Sequence, residues 1–255
     1  MTLALRDSVA HVFVDDLAAP MLSDDDQHHL ARVLRVRDGE AVSASDGRGG
    51  WRMCQWRDGG LHATSDAQHV AAALPRLAVA FVPVKGDRPE WAVQKLTEVG
   101  IDDIIVLAPT RRAVVRWGDA ASSDENKHIQ KLTKVAREAA MQSRRVWLPM
   151  ISGPASLAEV CARPGAAVAD PTGEPLTTGP LNAGTRDSAD PLATRSPNAD
   201  TSLIIVGPEG GFDEDEISAS TRRVSLGDTI LRAETATLVA ATLLADLRYR
   251  KRGLT

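Results

Sequence analysis

Glu209, Arg232 and Glu234 are three titratable side chains lying in or beside two glycine turns of the C-terminal third of this chain. The first turn, Gly207-Pro208-Glu209-Gly210-Gly211-Phe212, follows the apolar run Leu203-Ile204-Ile205-Val206. The second, Leu226-Gly227-Asp228-Thr229-Ile230-Leu231, leads into Arg232-Ala233-Glu234-Thr235-Ala236. A strand, a glycine turn and a helix start make a phosphate site when cations accompany them. Here the first turn contains no Lys or Arg, holds Glu209, and is followed by Asp213-Glu214-Asp215-Glu216. A diphosphate would be repelled, so a neutral or cationic ligand fits better. Glycines let backbone groups approach a ligand closely, Ile230 and Leu231 can sandwich a flat base, and Arg232 is an isolated cation. Either turn alone can be a plain connection, and Asp213 with Glu216 has the spacing of a capping box. Two such turns side by side at the carboxyl edge of a parallel sheet would instead form a crevice.

A second kind of chemistry is suggested by cations. Lys127, Lys131, Lys134 and Arg137 are spaced to share one helix face. From 127 to 145 there are six cations and one acid, Glu138, a local charge of +5 on a chain of net charge −4. That asymmetry suits a phosphate backbone, although a solvated helix face explains it equally well. Gln142, Arg144 and Arg145 add donors. Lys85 and Arg88 flank Gly86 after an apolar run, Arg111-Arg112 occupy the equivalent place after the next run, and Arg32, Arg35 and Arg37 close an N-terminal helix.

Other routes to chemistry score poorly. Cys54 and Cys161 are far apart and match no metal spacing, and the six histidines include no metal-helix pair, so no metal is expected. The chain has no nucleophile elbow, no Walker lysine and no complete dinucleotide fingerprint. Tyr249 is the sole tyrosine, which argues against an aromatic RNA-stacking sheet. No basic-then-apolar leader and no membrane-length apolar run are visible, so a cytoplasmic protein without membrane contact is expected.

The elements that must position these residues fall into two groups. Residues 1–72 read as short strands with turns at Asp46-Gly47 and Asp58-Gly59, plus one helix over 23–35, a small barrel-like β domain. From 73 to 255 strands alternate with helices: strands at 77–84, 104–108, 166–169, 203–206 and 224–226, and helices at 88–99, 124–142, 157–162, 214–221 and 234–248. That alternation predicts a parallel sheet covered on both faces. The Pro-rich stretch 171–200 reads as a long loop or insertion.

The two glycine turns, with Lys85-Gly86-Asp87-Arg88, Gln94-Lys95, Glu98-Val99-Gly100 and His29-Leu30…Val33-Leu34-Arg35, resemble the RsmE family of 16S ribosomal RNA uracil-N3 methyltransferases. The resemblance spans nearly the whole chain, with Met141 standing where the family commonly has an acid. It implies an α/β fold of the SPOUT type, a trefoil-knotted parallel-sheet domain preceded by a PUA-like β-barrel. It also implies S-adenosylmethionine as cofactor, a homodimer, and 16S ribosomal RNA within the small ribosomal subunit as partner. On that basis Val206, Gly207, Glu209, Gly210, Gly211, Leu226, Gly227, Ile230 and Leu231 are expected to bind cofactor. Arg232, Glu209 and Glu234 are the candidate catalytic residues, and Arg35, Lys85, Arg88, Arg112, Lys134, Gln142 and Arg145 the candidate RNA contacts. A ribose 2'-O methyltransferase of the same class and a non-catalytic RNA-binding assembly factor are the alternatives.

Overall fold

The computed structural model describes residues 3–115, 117, 123–176, 200–218 and 220–253, with backbone only at 123–126. Packing divides the chain into two compact units, Met1–Ala73 with Ala136–Leu148, and Leu74–Val135 with Pro149–Thr255.

The first unit contains α1 (Leu3–Asp7), β1 (Ala10–Phe13), α2 (Asp24–His28) running into a π turn (His29–Val33), β2 (Ala41–Ser45), β3 (Gly50–Arg57), β4 (Gly60–Ala63) and β5 (Gln68–His69). Its sheet order is β1-β2-β3-β4, with β5 also on β3. Ser23 caps α2 by accepting from the Asp26 N–H, and three acids fill the first turn, which suits the helix dipole. Val12, Leu30, Val42, Ala44, Cys54 and Trp56 pack into one core.

Segment 136–148 is built into this unit by its cations. Arg137 pairs with the buried Asp26 at 2.7 Å and lies over the Phe13 ring. Burial pushes the Asp26 carboxyl up, but the hydrogen bonds from Arg137 and Ser23 outweigh it and leave it below its ordinary value. Arg144, at φ 57, donates to the carbonyls of Ser8 and Met141. The expected phosphate-facing stripe on the 124–142 helix is therefore not a free one. Arg137 and Arg144 serve the interior of the first unit, and Lys131 pairs with Glu90 in the second. Met141 packs against the first unit's core.

In the second unit lie β6 (Ala78–Phe81), α3 (Arg88–Val99), β7 (Asp103–Leu107), most of α4 (Ser123–Gln142), β8 (Met150–Ala155), α5 (Leu157–Cys161), β9 (Ala166–Pro175), β10 (Leu203–Val206), β11 (Arg223–Ser225) and α6 (Ala233–Gly253). The sheet runs β11-β9-β10-β6-β7-β8, every neighbouring pair parallel. Helix α3 has Pro89 in its first turn, buries Ala92, Val93, Leu96 and Thr97 at helical spacing, and is capped by Gly100 at φ 102, in the left-handed region. Small residues Ala233, Ala236, Ala240 and Ala241 let α6 settle closely on β6, β10 and α3. Its far end is fixed by a largely buried Arg248–Asp102 pair and by Arg248 donating to the Gly100 carbonyl.

Three sequence expectations need correction. Among the described residues of 214–221 no helix forms; residues 214–216 are a turn whose acids are spoken for by Arg111 and Arg223. Strand β8 went unpredicted because Gly153-Pro154 argues against a strand; it survives as an edge strand, bulged where Gly153 crowds the Val106 carbonyl. The insertion does not begin at 171, since β9 continues to Pro175 and pairs there with β11. Residues 177–199 lie outside the described residues.

His11 in β1 makes the first unit sensitive to acid. Its Nε2 lies 3.0 Å from the Arg145 carbonyl and its Nδ1 2.8 Å from the Ser43 hydroxyl, which assigns the proton to Nε2. Burial pushes its pKa down from 6.5 to about 4, the Arg145 carbonyl opposing and the Arg144 charge adding. Because the folded value is the lower one, the unfolded chain takes up the proton first. The stability contributed by neutral His11 is whole above pH 6.5 and is lost as pH falls toward 4, about 3 kcal/mol across that window. Urea unfolding followed by tryptophan fluorescence should show this slope in the natural chain and a flatter one in His11→Asn.

Candidate active site

Because all strands of the second unit run the same way, every strand exit opens on one edge. The β10 exit (207–212) and the β11 exit (226–231) stand on either side of the β9 extension. Together they enclose a cavity of about 320 Å3. Val168, Ala169, Asp170 and Pro171 supply its β9 side, and Val206 to Phe212 and Ser225 to Leu231, Asp228 excepted, its two walls. All nine residues expected to bind a cofactor line this one cavity. The Phe212 ring leans over Gly207, where a Cβ would lie 3.0 Å from it. Gly211 has φ 70 and donates its N–H to the Pro208 carbonyl, closing the turn. Ile230 is 82 % exposed, an apolar side chain with little protein around it.

The charges divide in a way the sequence hides. Asp213, Glu214, Asp215 and Glu216 do not line the cavity. Arg111 pairs with Asp215, Arg112 with Asp213 and Arg223 with Glu214. Glu216 accepts the backbone N–H groups of both Arg111 and Asp213. Hydrogen bonds from Arg111 and Arg223 hold the carboxyls of Asp215 and Glu214 below their ordinary values. The acids that do line the cavity are Glu209 and Asp170, and none of its described lining residues is Lys or Arg. Burial pushes the Asp170 carboxyl up, but hydrogen bonds from Thr172, with Arg223 beside it, bring it below its usual value.

Arg88, expected as an RNA contact, joins the two candidate catalytic acids. Its Nη1 lies 3.3 Å from Glu209 Oε1 and 3.7 Å from Glu234 Oε1. Glu234 Oε2 is buried without a hydrogen-bond partner. Arg232 is exposed, lies outside the cavity lining and forms no ion pair among the described residues. The expected RNA contacts are split between the units. Lys85 and Lys134 are exposed in the second, and Arg112 there donates to the Gly210 carbonyl at 2.6 Å. In the first unit Arg35 and Gln142 are exposed, whereas Arg145 is half-buried and its carbonyl faces His11. Sequence reasoning missed Asp170, Pro171 and Arg223. The first two fall in a stretch without apolar periodicity, and nothing in the spacing ties Arg223 to Asp170 and Glu214.

Residues 72–245 match the RNA methyltransferase domain family, and residues 22–55 the RNA methyltransferase PUA domain. A Mycobacterium bovis protein named ribosomal RNA small subunit methyltransferase E is 32 % identical over 250 residues, covering 93 % of this chain and 92 % of its own. Two solved structures share the fold. One is a putative methyltransferase of Legionella pneumophila with bound cofactor SAM (TM-score 0.71, 21 % identity, 94 % of this chain and 97 % of that one). The other is a ribosomal RNA small subunit methyltransferase E of Neisseria gonorrhoeae bound to S-adenosyl methionine (TM-score 0.67, 22 % identity, 93 % and 97 %). The second unit is thus the parallel-sheet core of a SPOUT-type knot fold, accompanied by a PUA-like domain.

The cavity's β9 side depends on Gly173. A Cβ there would lie 2.5 Å from the backbone of Arg223 and Val224, so Gly173→Ala must push β11 away from β9. Overpacking of this kind costs about 1–3 kcal/mol, and a lowered denaturation midpoint in that variant, beside an unchanged one in Gly253→Ala at the exposed end of α6, is the expected result.

Proposed function

Because the chain belongs to the ribosomal RNA small subunit methyltransferase E family, we propose that it methylates the N3 atom of one uridine in 16S ribosomal RNA of the small subunit. The donor is S-adenosylmethionine, seated between the two glycine turns. One observation carries this reading: both turns face a single cavity lined by glycine backbone, apolar side chains and two carboxylates, with no Lys or Arg among its described lining residues. That donor set fits a flat adenosine and a sulfonium cation and disfavours a phosphate. The volume is within the ~300–1,000 Å3 usual for small-molecule sites.

Bound there, S-adenosylmethionine supplies an electrophilic methyl group. Everything else falls to the chain. Backbone groups of 206–211 and 226–231 orient the donor, with Ile230 and Leu231 against its flat part, so that acceptor and methyl group can align. Uracil N3 carries a proton and is a poor nucleophile until it is lost. Glu209 or Glu234 takes that proton; Glu234 Oε2, buried and unpartnered, has room for one donor. Arg232 stabilises the negative charge that then develops on the flanking carbonyl oxygens. Exposed Lys85, Lys134, Arg35 and Gln142 meet the RNA backbone. A cytoplasmic homodimer belongs to the same reading; no helix among the described residues is long and apolar enough to cross a membrane. Sedimentation at a mass of one chain would remove the dimer.

Nucleoside mass spectrometry of small-subunit RNA from cells with and without the gene tests the reaction. One N3-methyluridine should vanish without it. Loss of a 2'-O-methylated nucleoside would favour ribose chemistry, and no change would favour an assembly factor. In Arg232→Ala, methylation of small subunits should fall about 100-fold, as for lost transition-state donors, while donor affinity stays as it was. Full methylation in that variant would remove Arg232 from the chemistry.

A further inference from the structure

Arg112 lies just beyond the β7 exit, and its contacts are with the exit of β10, on the far side of β6. Nη1 donates to the Gly210 carbonyl at 2.6 Å, and Nη2 reaches Asp213 Oδ1. The aliphatic stem lies against the same peptide, since a Cβ on Gly210 would be 3.2 Å from Arg112 Cδ. Arg111 ties down the far side of the loop through Asp215, and its own N–H shares Glu216 with the Asp213 N–H. Of these partners Gly210 lines the cavity, and Asp213, Asp215 and Glu216 belong to the segment that directly follows its wall. Gly207, Gly210 and Gly211 give that wall little stiffness of its own, because glycine has the most conformational freedom to lose.

We propose that Arg112 is a positioning residue for the methyl donor: it clamps the Gly207–Phe212 turn in its ligand-ready shape, with Arg111 securing the Asp213–Glu216 end. The inference rests on the reading of the cavity as the S-adenosylmethionine site. Its physical content is pre-organisation. A wall that is ligand-ready only part of the time binds more weakly in proportion to the fraction of time it is ready. Arg is suited to the task because its planar fork spans a carbonyl and a carboxylate in a fixed geometry, whereas a lysine ammonium is a point charge on a flexible stem.

The test is calorimetric titration of the full chain with S-adenosylmethionine, paired with steady-state methylation of small subunits. Arg112→Ala should raise the donor Kd about tenfold, as a competent fraction of about a tenth implies. The loss should appear in KM for the donor, not in kcat or in KM for the ribosomal particle. Arg112→Lys should fall between the two. Asp213→Asn, which leaves the Gly210 hydrogen bond in place, should show a smaller rise, and combining it with Arg112→Ala should add nothing. If the natural chain binds no S-adenosylmethionine, the cavity reading fails and the clamp with it. If the natural chain binds and Arg112→Ala binds equally well, the clamp alone is overturned. A rise confined to KM for the particle overturns it too and makes Arg112 an RNA contact. Should Arg112→Ala not fold, unchanged donor affinity in both Arg112→Lys and Asp213→Asn overturns the clamp.

Discussion

Strand β10 lies between two parallel neighbours with all four of its residues buried, and the site depends on that constraint. Flanked by β9 on one side and β6 on the other, its chain can turn only beyond Val206, at the carboxyl edge. There it must reverse within a few residues beneath Phe212, which is why glycine recurs at 207, 210 and 211. Strand β11 pairs with β9 from the opposite side, so its own exit lies one strand away from that of β10. The cavity is the gap between these two exits, with β9 between them. Parallel sheets place ligands at this edge for the same topological reason.

Charge then decides what the gap can hold. Four acids directly after the first turn would suggest a strongly negative pocket, but the fold spends them elsewhere, on Arg111, Arg112 and Arg223. Such pairs are largely exposed, and each is worth little to global stability. Their effect is local, since they tie the segment after β10 to the β7 exit and to the first residue of β11. What remains facing the cavity is a milder negative character from Glu209 and Asp170. Arg88 plays a similar part on the other side, drawing Glu209 and Glu234 toward a common cation.

Much of this was legible in the chain. Apolar runs located β6, β7, β10 and β11, and Gly100 marked the end of α3. The nine residues expected at the cofactor site all fall in the cavity lining, because backbone turns advertise themselves through glycine, whereas the β9 side of the lining went unnoticed. Side-chain partners do not. Arg88, Arg112 and Arg137 looked alike as surface cations, yet each is engaged by a carboxylate far away in sequence, Arg137 across more than a hundred positions. Propensity also failed where ion pairs overrode it. Residues 214–221 have the acids and the spacing of a helix start, but those acids bind arginines from other elements and Ser218 and Ser220 bond each other. The β9 extension escaped notice because Asp170-Pro171 and Glu174-Pro175 read as loop, and only pairing with β11 makes them strand.

The central claim is that two turns twenty residues apart form opposite walls of one S-adenosylmethionine site. Hydrogen–deuterium exchange of the whole protein, with and without the donor, addresses it most directly. Amides at 206–212 and at 226–231 should both become protected when S-adenosylmethionine is added, while those of α4 stay unchanged. Protection of one turn without the other, or protection confined to α4, would contradict the account.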